Sequence, residues 1–219
     1  MEAFLFMNRQ EIISKTESFV QDTLQGSEAG HDWSHIERVV RNARTIAAAE
    51  KADPFVVELA ALLHDIADSK FHNGNEELGP ERSKRFLKSL DLPAELVNQV
   101  VNIVRNVSFK NELDPSKEDR FDSIELQVLK DADRLDAMGA IGVARAFHYG
   151  GYKNRALYDP SIKPAEKQSK EQYKTSKAPT INHFYEKLLL LKDKMNTQTG
   201  CKMAEERHAF MESFLDHFY

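Results

Sequence analysis

The sequence predicts an all-α protein, a single helical domain over residues 1–219, and three observations predict it. Apolar residues recur at spacings of three and four in almost every segment. Helix start signals, Asp-Pro, Gly-Pro and lone serines, punctuate the chain at helical intervals. No run of strict alternation, internal repeat or low-complexity tract competes with that reading.

Taken in order, the first helix is expected from about Arg9 to Leu24, with an apolar lead-in at the N-terminus. Glu2 precedes that lead-in, and neither a basic region nor a small-residue cleavage site accompanies it, so it does not read as a signal peptide. From Asp32 to about Glu50, Ile36, Val39, Val40, Ala43, Ile46 and Ala47 mark one buried stripe. Asp53-Pro54 supplies an N-cap and a first-turn proline for the next helix, which is apolar nearly all round. Gly79-Pro80 opens a short charged helix ending near Leu90, and Pro93 opens another through about Val107. Residues 114–122 form a polar connection, and Ser123 caps one long helical stretch running towards Phe147. Residues 149–177, with Gly150-Gly151, Pro160 and Pro164, read as a long loop. Two docking helices close the chain over about 180–218, the second packing Phe210, Phe214 and Leu215.

Composition narrows the function classes. A chain of 219 residues with 41% hydrophobic and 30% charged residues matches an ordinary soluble domain. A formal net charge of −5 argues against a nucleic-acid grip driven by overall charge. No stretch reaches the ~18 consecutive apolar residues of a membrane span. The lone Cys201 rules out an intramolecular disulfide or a thiolate-rich zinc site and fits a reducing cytoplasm. The oligomeric state stays open.

The chemistry concentrates on the apolar third helix. His64-Asp65 places an imidazole and a carboxylate in LLHDIAD, where buried polar groups are costly unless paired, most economically by a metal ion. His35 sits beside the apolar face near the start of its helix, and Asp133 is embedded between Leu129 and Leu135. Two imidazoles and two carboxylates make a nitrogen/oxygen set suited to Mn, Fe, Co, Ni or Zn, with coordination positions left for water and a substrate oxygen. The alternative is four packed or solvated side chains that never meet.

The segments GHDWSHIERV, LLHDIADSKF, DADRLDAMGAIGVARAF and YGG, spanning roughly residues 30–158, resemble the HD-domain phosphohydrolase superfamily and its YpgQ-like subgroup of small bacterial enzymes. The resemblance implies an all-helical HD fold and His35, His64, Asp65 and Asp133 as ligands of one divalent metal ion, with Mn²⁺ favoured. It implies hydrolysis of nucleotide phosphate esters or anhydrides, most directly pyrophosphohydrolysis of (d)NTPs. A 5′-nucleotidase activity and a non-catalytic nucleotide-binding module are the alternatives. Binuclear relatives carry extra histidines between the HD pair and the last aspartate; here only His72 lies there, which favours one metal. HDIAD also departs from the HDIGK of cyclic-di-GMP phosphodiesterases, and the paired HDxxED of alarmone hydrolases is absent.

Asp68 follows Asp65 by three residues and His64 by four, so on a continuous helix it shares their face as the candidate base, where related hydrolases carry a carboxylate. Lys70 is the nearest cation for a phosphate, or else a solvated lysine. His31 is a candidate phosphate donor beside the first ligand, and Asp32 an N-cap. Tyr152 and Lys153 suit a nucleobase and a phosphate tail, or belong to an inert surface loop. Arg134 and Arg145 are expected to bridge to nearby acids.

Overall fold

A computed structural model of the protein describes residues 7–25, 32–67, 75–107, 121–165 and 178–219. The described residues are helical, with no strand among them. The chain divides into two compact units, Met1–Ala132 and Asp133–Tyr219.

The first unit holds α1 (Arg9–Thr23), α2 (Trp33–Glu50), α3 (Pro54–Leu63), α4 (Leu78–Ser89), α5 (Ala94–Asn106) and most of α6 (Ile124–Asp136). Its centre is α3, which packs against α1, α2 and α5. Val57, Leu59, Ala60, Ala61 and Leu63 are fully enclosed, so no face of the helix meets water except around Glu58. Glu58 is ion-paired to Arg44 of α2, which makes its place on an otherwise apolar helix tolerable.

Local chemistry sets each helix start. Asn8 and Glu11 form a reciprocal capping box on α1, with bonds of 2.9 and 3.0 Å. Asp53 caps α3 through Phe55 N and Val56 N at 2.8 and 3.3 Å, and its own N–H donates to Glu125 Oε1 at the foot of α6. Ser123 accepts from Leu126 N, as expected of the α6 cap.

The second unit holds the end of α6, then α7 (Gly139–Tyr152), α8 (Asn182–Glu186), a 3-10 helix (Leu188–Lys194) and α9 (Gln198–Phe218). The one long helix expected from Ser123 to Phe147 is thus two. Met138 is extended (φ −122°, ψ 163°) and Gly139 takes φ +67°, a left-handed conformation that only glycine adopts cheaply. Gly142 lies under the Ala137 carbonyl, where a Cβ would come within 2.3 Å, so the elbow is closed tightly as well as bent. The expected loop begins later than Tyr149, since α7 continues to Tyr152; its residues 166–177 lie outside the described residues. The first docking helix is a short α-turn followed by 3-10 geometry, broken at Lys187 (φ −146°, ψ −55°).

Phe147, Phe184, Phe214 and Phe218 form an aromatic cluster with ring separations of 5.7 to 6.3 Å, around the fully buried Phe184. Phe210, expected to pack, is exposed; Met211 and Leu215 take the buried positions of α9 instead. Among the described residues no helix is long and apolar enough to cross a membrane.

Two predictions follow from this packing. Asp53→Ala strips the cap from α3 and lowers the free energy of unfolding by about 1 kcal/mol, measured by urea denaturation. His183 titrates well below an ordinary histidine: burial, then the charges of Lys187 and Arg155, push its pKa from 6.5 down to about 3. Its folded value lies below its unfolded value, so the unfolded chain binds the extra proton and stability is lost as pH falls from 6.5 towards 3. His183→Gln accordingly flattens the pH dependence of Tm in that window relative to the parent chain and leaves it unchanged above pH 7.

Candidate metal centre

The site is built where α3 stops. His64 closes that helix as its C-cap (φ −64°, ψ −30°), and residues 64–67 continue as turns, so the HD pair sits just past the helix end and not within it. His64 Nδ1 lies 2.8 Å from the Ala61 carbonyl oxygen. A carbonyl only accepts, so Nδ1 carries the proton and Nε2 of the neutral ring keeps its lone pair for a ligand. The same bond occupies a carbonyl that the last turn of α3 leaves without an amide partner.

His35 approaches from the first turn of α2 and is buried, 2% exposed. Its ring meets that of His64 edge-on, with centroids 5.4 Å apart and planes at 61°. The turn carrying it is fixed by Asp32, whose Oδ1 accepts from His35 N at 3.0 Å and from Ser34 Oγ at 2.8 Å. Partial burial alone would raise the Asp32 pKa, but those hydrogen bonds, with Arg38 and His35, hold it below the usual aspartate value. An ionised Asp32 offsets the positive end of α2, while the C-terminal end of α3 presents partial negative charge. The local field therefore favours a cation.

One donor atom from each of His35, His64 and Asp65 lies within 4.8 Å of the others. Donors sharing an ion at ~2.1 Å stand about 3 to 4 Å apart, so a small contraction would bring all three into contact with one ion. His64 and Asp65 are half-buried, which leaves a side open to solvent. The donor chemistry and the separations fit a divalent metal ion.

Of the remaining expected site residues, Asp133, Tyr152 and Lys153 are described. Asp133 is the first residue of the second unit, on α6, which runs across the division. Tyr152 and Lys153 lie together at the exposed end of α7, with Lys153 Nζ 4.6 Å from the Tyr152 ring centre and 5.6 Å from that of Tyr149. Asp68, Lys70 and His31 lie outside the described residues. Arg134 reaches the Lys194 carbonyl at 2.6 Å and bridges no acid by that bond, whereas Arg145 does pair with an acid, Asp136.

Sequence reasoning passed over Asn42. Buried on α2, it donates from Nδ2 to the Ala132 carbonyl at 3.2 Å, tying α6 to α2 one residue before Asp133. Its signal was an amide on the apolar stripe, flanked by Val39, Ala43 and Ile46.

An all-helical fold with two histidines and an aspartate meeting at one helix end defines a class: the HD-type, metal-dependent phosphohydrolases. The comparisons agree. The HD domain family matches residues 32–138. YpgQ, an uncharacterised protein of Bacillus subtilis, is 39% identical over 198 residues, covering 90% of this chain and 87% of its own. The crystal structure of an HD-superfamily hydrolase from Bacillus thuringiensis superposes with a TM-score of 0.77 at 42% identity, covering 96% of both chains. That of B. subtilis YpgQ in complex with ADP gives 0.74 at 35%, covering 97% of this chain and 95% of that one. The chain belongs to the HD-domain superfamily and is an HD-superfamily hydrolase.

Alanine at His35, His64 or Asp65 is expected to weaken Mn²⁺ binding by at least about tenfold, because losing a ligand exceeds the loss of a supporting partner. Electron paramagnetic resonance of free Mn²⁺ measures it, and unchanged far-ultraviolet circular dichroism shows that the fold persists.

Proposed function

We propose that the protein is a nucleotide pyrophosphohydrolase of the cytoplasm, converting (d)NTPs to (d)NMP and pyrophosphate with one bound Mn²⁺, the whole chain working as one HD domain. The convergence of His35, His64 and Asp65 at the end of α3 carries the reading of a metal-assisted hydrolase. The complex of the relative YpgQ with ADP supports a nucleotide as substrate.

In this reading Asp133 completes the donor set, as the family pattern implies; the bond from Asn42 to Ala132, fixing the residue before it, supports this. A divalent ion held there supplies charge neutralisation for phosphate oxygens and a lowered pKa for water. The Ala61 carbonyl holds the Nδ1 side of His64, which turns Nε2 towards the ion as the donor nitrogen. Asp68 is the base that takes the proton of the attacking water. Water adds to the α-phosphorus, the bond to the bridging oxygen breaks, and pyrophosphate leaves. Lys70 and His31 balance charge on the phosphates, and Tyr152 with Lys153 offers an aromatic face and a cation to the nucleotide.

Incubation with Mn²⁺ and a panel of dNTPs, NTPs and monophosphates, with products resolved by ion-exchange chromatography, tests this. Monophosphate plus pyrophosphate is the expected outcome. Free phosphate plus nucleoside would instead identify a 5′-nucleotidase, and nucleotide binding without turnover a regulatory module. Asp68→Asn is expected to lower kcat by about 10²- to 10⁴-fold while Mn²⁺ affinity holds.

A further inference from the structure

Within the second unit, the last turn of α6 holds an expensive arrangement that the proposed chemistry has not used. Asp136 is fully buried, its carboxylate standing at the C-terminal end of a helix, where the backbone already presents partial negative charge. Two arginines from other helices meet it. Arg145 of α7 donates from Nη1 both to the Asp136 carboxylate and, at 3.2 Å, to the Asp136 main-chain carbonyl. Arg207 of α9 donates from Nη1 to the Leu135 carbonyl, and Asp136 and Glu206 act electrostatically upon it.

The fit is close. Gly139, at φ +67°, leaves room for the stem of Arg207: a Cβ there would lie 3.1 Å from Arg207 Cγ and 3.2 Å from Arg207 Cβ. The glycine that bends the chain between α6 and α7 is thus also the one against which the arginine from the last helix lies. Together the two arginines hold the Asp136 carbonyl and the Leu135 carbonyl, which also accepts from Met138 N at 3.1 Å, at the end of α6.

A cluster built on a buried carboxylate with half-buried arginines is a poor source of stability, since well-packed apolar side chains of similar volume commonly do as well or better. Its distinctive effect is geometric, and what it fixes is the turn of α6 in which Asp133 stands, one turn before Asp136. A ligand carboxylate must be held to within about 0.5 Å by its supporting contacts.

We infer that the Arg145–Asp136–Arg207 cluster is a positioning device for Asp133, with Arg207 the positioning residue supplied by the C-terminal helix. This rests on the reading of Asp133 as a metal ligand. Arg207 touches no reacting atom; it acts by holding the turn that carries the carboxylate. The C-terminal helix is then coupled to metal affinity as well as to the aromatic core it covers.

The test is a double-mutant cycle in Mn²⁺ affinity on the full-length apoprotein, read by electron paramagnetic resonance of free Mn²⁺ and independent of turnover. It compares the parent chain with Asp133→Ala, Arg207→Met and the double variant, the fold being monitored by circular dichroism. Arg207→Met is expected to weaken Mn²⁺ binding about 10- to 100-fold. In the Asp133→Ala background the same change is expected to add less than about twofold. Arg207→Lys, which keeps the charge but not the planar fork, is expected to recover part of the loss. Parent-like affinity in a folded Arg207→Met chain, with Asp133→Ala impaired, would overturn the inference and leave the ligand reading intact. Equal losses in both backgrounds would overturn it too, as a general effect on the fold. Parent-like affinity in Asp133→Ala would instead overturn the ligand reading itself. Should Arg207→Met not fold, the apolar triple Asp136→Leu/Arg145→Met/Arg207→Met, which strands no charge, decides: weakened Mn²⁺ binding upholds the inference and parent-like binding overturns it.

Discussion

A neutral imidazole has one proton to place, and in this protein the Ala61 carbonyl determines where it goes. By accepting from His64 Nδ1 at 2.8 Å, that carbonyl sets the tautomer, turns the ring, and leaves Nε2 as the bare nitrogen. The carbonyl is available because α3 ends at that point, with His64 as its C-cap. Helix termination and ligand preparation are therefore a single event: the carbonyl left over by the last turn is the one that orients the histidine. The edge-on approach of His35 and the proximity of Asp65 gain their chemical meaning from a ring already fixed in place.

That arrangement needs a rigid support, and the composition of α3 provides one. A helix enclosed on three sides by α1, α2 and α5 cannot rotate without exposing valines and leucines, each of which gains roughly 1.5–3 kcal/mol from burial. The caps add direction to the rigidity. Asp53 fixes the start of α3 and, through Glu125, the foot of α6. Asp32 fixes the turn that carries His35. Each histidine is thus delivered by a helix end whose geometry is determined by short-range hydrogen bonds, while burial prevents the helices from shifting.

The same distinction explains what could be read from the sequence. The caps at Asp32, Asp53 and Ser123 and the apolar stripes of α2 and α3 were legible because they depend on residues within four positions of one another. The His35, His64 and Asp65 convergence was legible because polar side chains stood where burial would make them costly. The break between α6 and α7 was not legible, because apolar spacing continues through Met138 and Ile141 and nothing local demands that Gly139 take φ +67°. The room a glycine leaves there is taken by the stem of Arg207, some seventy residues away in the chain. Asn42 was missed for the same reason: a polar side chain announces that it needs a partner without naming a distant one. Phe210 shows the converse error, since an aromatic run predicts a core helix but cannot assign which of its faces turns inward.

The last two turns of α6 carry Asp131, Asp133 and Asp136, three carboxylates at the end of a helix that disfavours negative charge. A sequence selected for helix stability alone would fill this turn with cations, of which it holds Arg134. If Asp133 must be ionised to serve as a donor, the field at this helix end has to be corrected from outside, and the only side chains suited to the task are cations that also satisfy the leftover carbonyls. Arginine does both at once, because its planar fork can address a carboxylate and a main-chain oxygen together, as Arg145 does at Asp136. The glycine elbow suits the same arrangement: a Cβ at Gly139 would stand 3.1 Å from Arg207 Cγ, so its absence eases the approach of that arginine to the Leu135 carbonyl. A bent helix, two half-buried arginines and a C-terminal helix that reaches back are then consequences of placing an aspartate where helix electrostatics would not.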